Sequence, residues 1–251
     1  GLMAVEGEHH VVGAVRAAER RRVDELDLRQ PGEVALQRLL AQRFHLGSAR
    51  NLVDAARAVG AKLVHISTDY VFDGRAGPYA EDDPPCPLSQ LGRAKWHAEQ
   101  YACERLPDAL ILRTSFVFSW APQTRTPNFV MQLLANDQRR GLMRLPNDQV
   151  GNVTYAPNFA EALVELVERG ATGIFHVAGP TRCSKYEGAR RVAERFGLDP
   201  ALIRGVPTAE LGQAGPRPLQ SGFRLEKAQA ALKATRLMTV EEGLADMARA
   251  M

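Results

Sequence analysis

Cysteine is scarce, with three in 251 residues. Cys86, Cys103 and Cys183 are far apart and odd in number, which excludes a disulfide framework and a CxxC metal site and fits a reducing, cytoplasmic compartment. Long apolar runs are missing too. Nothing approaches the stretch of about 18 apolar residues that reads as a membrane-spanning helix, and no secretory leader core is visible, so no membrane partner is expected. Neither sign of charge is in excess: 32 basic residues face 29 acidic ones, a formal net charge of +3. The one dense basic run, Glu19-Arg20-Arg21-Arg22, has no aromatic platform interleaved with it. It reads as a solvated loop, so nucleic acid is not an expected partner. The histidines, among them His9-His10, His45 and His97, stand without a ligand cluster, and no metal site is expected.

What is present is the composition of an ordinary globular protein, 45% hydrophobic and 24% charged, with length for one α/β domain and a smaller lobe. Short apolar runs at 10–15, 63–66, 109–112 and 173–177 read as strands. Helical patterns occupy 31–40, 42–59, 89–104, 128–136, 157–168, 186–196, 225–232 and 240–250. Ser89 stands where an N-cap belongs and Gly60 where a left-handed C-cap belongs. Strands separated by helices predict a doubly wound parallel sheet of Rossmann type, covered on both faces. The expected division is a dinucleotide-binding domain from 1–120 plus 156–178, and a substrate lobe from 121–155 plus 179–251. Two pieces of such a sheet are not seen: an opening strand with its Gly-rich phosphate turn, and a strand between the helical patterns that meet near residue 41. A parallel sheet lacking internal strands would leave edges unpaired. Either the gene product has lost these pieces or residues of a longer polypeptide are absent here, and the second is the expectation.

Chemistry concentrates in Ser67-Thr68-Asp69-Tyr70-Val71-Phe72-Asp73-Gly74, directly after an apolar strand. Ligands of open α/β sheets bind beyond the carboxyl ends of the strands, and a hydroxyl there can stabilise developing charge on a carbonyl oxygen. A turn capped by Thr68 and Asp69 accounts for the same letters equally well.

The run 64–74 resembles the matching segment of the dTDP-4-dehydrorhamnose reductase family. So do Pro78-Tyr79, Glu81-Asp82, Pro87-Leu88, Gly92-Arg93-Ala94-Lys95, the run 112–118, Asn128-Phe129-Val130, Asp148-Gln149, Val153-Thr154, the run 175–179 and Arg217-Pro218-Leu219-Gln220-Ser221-Gly222. The resemblance keeps one order from about residue 9 to the C-terminus. It implies a reductase of a 4-keto sugar nucleotide that uses NADPH or NADH, with a small-molecule nucleotide sugar as partner and a homodimer as a candidate assembly. The family's catalytic set is a Thr or Ser, a Tyr, and a Lys four residues after the Tyr. Thr68 matches the first and Lys95 the last, but the Tyr position falls on Leu91, which can neither give nor take a proton.

By the same resemblance Gly1, Arg16, Ser67, Lys95, Ser115, Phe116 and Phe118 attend the cofactor. Asp69, Tyr70, Val71, Asn128, Arg217 and Ser221 attend the substrate. Arg16, where dinucleotide folds often carry an acid, suits a 2′-phosphate and favours NADP(H) over NAD(H); a loop arginine is the plain alternative. Two rival readings stay open: a catalytically impaired regulatory or binding homologue, which Leu91 favours, and a nucleotide-sugar epimerase.

Overall fold

Leu110-Ile111-Leu112 is apolar at every position, the pattern of a strand covered on both faces. The computed structural model describes residues 42–251 apart from 125, 126 and 214, and in it this run lies in the central strand of a parallel sheet. A π-helical turn, Gln42–Gly47, leads into α1 (Ser48–Val59), which Gly60 closes at φ 66°, a conformation glycine adopts without steric cost. Then follow β1 (Val64–Thr68), α2 (Gln90–Arg105), β2 (Leu110–Thr114), β3 (Val117–Phe118) and α3 (Phe129–Gln138). Next come β4 (Met143–Pro146), β5 (Val150–Asn152), β6 (Thr154–Tyr155), α4 (Ala156–Glu168), β7 (Gly173–His176) and β8 (Arg182–Ser184). The chain ends with α5 (Lys185–Phe196), β9 (Ile203–Val206), α6 (Glu226–Ala231) and α7 (Val240–Arg249).

Among the described residues the sheet runs in the order β1-β2-β7, all parallel, with Val64 opposite Leu110 and Leu110 opposite Gly173. Parallel neighbours require crossovers, and α2 and α4 supply them. Successive side chains of a strand point to opposite faces, so Ile111 packs with Val53, Ala102 and Leu106 under α1 and α2. Leu110 and Leu112 pack on the other face with Phe159, Leu166, Phe175 and Val177. This is the layered α/β arrangement expected of a doubly wound fold. Every residue of β2 is buried; in β1 only Ser67 is.

A second core gathers Phe118, Val130, Leu133, Val153, Tyr155, Val192, Ile203, Leu244 and Met247. It is bracketed by small two-stranded pairings, parallel β3–β6 and β4–β9 and antiparallel β5–β8. The expected boundary at residue 179 does not follow the packing throughout. Phe223, Leu225, Ala228, Leu232 and Leu237 return to the core of the parallel sheet. A bridge between Tyr79 and Phe223 and the Glu165 carboxylate, which accepts from the backbone N–H groups of Lys233, Ala234 and Thr235, hold that segment there.

Candidate active site

β1 delivers Thr68 to the carboxyl end of the sheet, where the chain leaves through a 3-10 turn over Asp69–Val71. Thr68 Oγ1 accepts from the Tyr70 N–H at 3.3 Å and donates to Asp69 Oδ1 at 3.2 Å. Helix α2 lies against this turn. Ser89 caps it by accepting from the Gly92 N–H, as the sequence leads one to expect. A Cβ on Gly92 would lie 2.1 Å from the Tyr70 carbonyl oxygen, so only glycine permits this approach. Leu91 and Lys95, one helical turn apart, share a helix face, and both are half-buried. Lys95 Nζ donates to the Ile66 carbonyl at 3.1 Å. Burial lowers the Lys95 pKa, and the Glu99 carboxylate opposes the shift.

The register of α2 is locked by an ion pair that the sequence did not single out. Arg113 of β2 donates to Glu99 at 2.6 and 3.0 Å, with both side chains almost wholly buried. The Arg113 guanidinium also lies 5.1 Å from the Phe72 ring centre and 3.4 Å from His176 Nε2. His176 is held neutral, its pKa pushed down to about 3 by burial and then by Arg113.

The opposite wall comes from loops around the second core. Ser115 Oγ donates to the Asn152 carbonyl at 2.9 Å. Phe116 adopts φ 42°, a left-handed conformation that is uncommon for a bulky residue and costs roughly 1–3 kcal/mol. A Cβ on Gly151 would meet the Phe116 ring at 3.2 Å and Asp69 Oδ2 at 3.6 Å. Lys185 Nζ stands 5.2 Å from the Phe116 ring centre. Arg217 donates to the Tyr70 hydroxyl at 3.2 Å and lies 5.5 Å from its ring centre. Thr68, Asp69, Tyr70, Phe116, Arg217 and Ser221 are thus brought together, with Lys185 added.

Asp69 is 2% exposed. Its Oδ2 and the buried Ser221 hydroxyl, which face each other, form no hydrogen bond among the described residues. Burial raises the Asp69 pKa to about 6, against the opposing effects of the Ser221 and Thr68 hydroxyls and of Lys185. Lys185 is itself lowered by burial and by Arg217. Behind Phe116 opens a cavity of about 490 Å³ lined by Phe129, Gln132, Arg144, Lys185 and Gln213 among others.

Not every expected residue reaches this cleft. Val71 is fully buried in the sheet core, and Phe118, 1% exposed, meets Phe129 edge-on and Tyr155 at a tilt inside the second core. Both side chains point into the cores rather than into the cleft. Asn128 serves as the N-cap of α3, accepting from Val130 and Met131 N–H and donating to the Ser119 carbonyl. Ser67 is buried beneath the strand end. Gly1 and Arg16 lie outside the described residues, as does the strand expected at 10–15. Lys185 was missed, although Ser184 and Glu187 around it form a capping box, a signal readable in the letters S-x-x-E that marks a helix start facing the cleft.

The model of the family described as the RmlD substrate binding domain matches residues 31–251. The spore coat polysaccharide biosynthesis protein SpsK of Bacillus subtilis is 37% identical over 177 residues, 70% of this chain and 60% of that protein. A dTDP-4-dehydrorhamnose reductase of Mycobacterium tuberculosis is 34% identical over 180 residues, 69% of this chain and 58% of its own length. The chain therefore spans about 60% of the length of the curated relatives it matches. Among solved structures, a dTDP-4-dehydrorhamnose reductase from Bacillus anthracis in complex with NADP superposes with a TM-score of 0.79 at 29% identity, over 86% of this chain and 75% of that one. Among the described residues no helix is long and apolar enough to cross a membrane.

Proposed function

The chain belongs to the RmlD substrate-binding-domain family, and from that premise we propose that it reduces the 4-keto group of a dTDP-linked deoxysugar with a reduced nicotinamide dinucleotide. The observation that carries this reading is the Thr68 hydroxyl at the carboxyl end of β1, with Lys95 bonded to the same strand at Ile66, Tyr70 in the turn that follows and in contact with Arg217, and Phe116 and Lys185 on the other wall. A hydroxyl can polarise a ketone oxygen. Aromatic faces suit a sugar ring and a base, and two cations suit a diphosphate.

The described residues fit such a cofactor. An ammonium has three N–H donors. Among the described residues Lys95 uses one, on the Ile66 carbonyl, which leaves two for ribose hydroxyls. When bound, the dinucleotide supplies the hydride. Thr68 orients the ketone, Lys95 orients the ribose, and Ser115 and Phe116 border the nicotinamide side. Arg217, Tyr70 and Ser221 hold the sugar nucleotide. Arg16 carries the preference for NADP(H). The dinucleotide is gripped by the parallel-sheet domain and the sugar nucleotide by the second lobe, in a soluble cytoplasmic enzyme that works as a homodimer and needs neither nucleic acid nor a membrane.

Leu91 favours a second reading, a binding or regulatory homologue that retains the cleft and little turnover. Isotope transfer distinguishes the two. Protein incubated with reduced dinucleotide deuterated at the hydride position and a dTDP-4-keto-6-deoxy sugar is expected to yield a sugar carrying one deuterium at C4. Tight binding of both ligands with no deuterium in the sugar would establish the regulatory reading instead.

A further inference from the structure

A 4-keto sugar that receives a hydride becomes an alkoxide, and the alkoxide needs a proton. If the chain is the reductase just proposed, on which this inference rests, the helix position that should provide a phenol offers only the alkyl group of Leu91. A second acid group lies within reach. Asp69 is buried, hydrogen-bonded to the Thr68 hydroxyl through Oδ1, and among the described residues has no hydrogen-bond partner at Oδ2, near which the Ser221 hydroxyl stands. We propose that Asp69 is the proton store of this active site, delivering its proton to the sugar through Thr68.

The geometry prescribes how this works. When Asp69 is ionised, Thr68 Oγ1 donates to Oδ1 across 3.2 Å, so the threonine proton points away from the substrate. When Asp69 is protonated the same contact reverses. The carboxyl O–H donates to Oγ1, and the threonine O–H turns to the ketone oxygen. Once the alkoxide has formed, the Thr68 O–H bond breaks and an O–H bond forms on the sugar C4 oxygen. In concert, the Oδ1–H bond of Asp69 breaks and its proton passes to Oγ1. Thr68 ends as it began, and Asp69 ends as a carboxylate that takes a proton from water after product leaves. The two electrons come from the reduced nicotinamide in the preceding hydride transfer, and none move in this step.

The groups that face Asp69 allow it to hold a proton near neutrality. From the start of α5 comes Lys185, with Arg217 and Tyr70 beside it; from the end of β1 comes Thr68; from the segment before Phe223, the bridge partner of Tyr79, comes Ser221. Lys95 on α2 is committed to the Ile66 carbonyl. Burial outweighs the attraction of Lys185 and holds the carboxyl at about 6. The protonated fraction therefore falls as pH rises through 6, and proton delivery falls with it. Asp69 acts through Thr68 and is a positioning residue in that sense.

Two readouts test this. The first needs no turnover: infrared difference titration of the whole chain against Asp69→Asn should show one carboxyl C=O band that disappears near pH 6 and is missing in the variant. A band lost within the ordinary carboxylate range, below about pH 5, would overturn the proposal. The second is the pH profile of turnover. Asp69→Asn should lower kcat about 10-fold or more at pH 6, with little change in KM, and should flatten the profile between pH 5 and 8. In a Leu91→Tyr background, where a phenol supplies the proton, the same substitution should cost clearly less in kcat than it does in the wild type. An Asp69→Asn profile that falls through pH 6 as in the wild type would overturn it. If neither wild type nor Leu91→Tyr turns over the 4-keto sugar, the reductase reading fails, and the infrared titration still decides whether Asp69 stores a proton.

Discussion

Leu91 and Arg113 mark two kinds of residue in this cleft, one that we propose limits proton delivery and one that is paired in the core. Leu91 shares a helix face with Lys95, so Leu91→Tyr puts a phenol where the Lys95 ammonium can depress its pKa. Turnover is expected to rise by about 10-fold or more, read as oxidation of reduced dinucleotide; an unchanged rate with cofactor bound would argue for the regulatory reading. Arg113 pairs with Glu99 inside the protein at 2.6 Å. Arg113→Met leaves a buried carboxylate without its partner and should destabilise the fold by roughly 3–5 kcal/mol in denaturant unfolding, whereas the double change with Glu99→Leu should recover most of that loss. Thr68 was legible in the sequence because it follows an apolar strand within a motif. The ion pair was not, since Glu99 reads as one more polar helix residue and its burial depends on where β2 lies. The raised pKa of Asp69 was invisible for the same reason, and the Ser184–Glu187 capping box marks a helix start at Lys185 without telling that it meets Asp69.

At the scale of elements, α2 is the part whose placement matters most. Its seat against the 69–71 turn depends on Gly92, where a Cβ would sit 2.1 Å from the Tyr70 carbonyl. Gly92→Ala, which would help an isolated helix, should here lower Tm and lift Lys95 away from Ile66, reducing affinity for the dinucleotide. A variant with wild-type Tm and wild-type cofactor binding would contradict this seat. The segment after α6 hangs on Glu165, whose carboxylate is held down at about 2, chiefly by the backbone N–H groups of Lys233 and Ala234. A depressed carboxylate contributes stability that is full above its ordinary value of 4.5 and is lost as pH falls through about 2. Glu165→Gln should therefore be less stable than wild type at neutral pH, with the gap closing as both are titrated from 4.5 towards 2; a gap independent of pH would exclude the carboxylate as its source. Caps and strands were well marked in the sequence: Ser89, Gly60 and the run 110–112 behave as their letters suggest. The return of residues 223–237 to the sheet core was not legible, because an amphipathic pattern reveals that a face is buried without revealing against what.

On the scale of the molecule, a layered parallel sheet and a second core supply opposite walls of one cleft. Thr68 and Lys95 come from the sheet side and Phe116 and Lys185 from the other. The proposed preference for NADP(H) belongs to this scale, since it rests on Arg16, which lies outside the described residues. Titration with both dinucleotides should give tighter binding of NADPH than of NADH, and Arg16→Ala should abolish the difference. Equal affinities in the wild type would remove the argument from Arg16. The central proposal is that this cleft reduces a 4-keto sugar nucleotide without a phenol at position 91, so that protonation of the alkoxide limits the rate. Its most direct test is the rate of NADPH oxidation on a dTDP-4-keto-6-deoxy sugar, measured for the wild type and Leu91→Tyr with NADPH binding demonstrated for both. Slow, substrate-dependent oxidation in the wild type that rises about 10-fold or more in the variant is the predicted result, and no oxidation by either protein would contradict it.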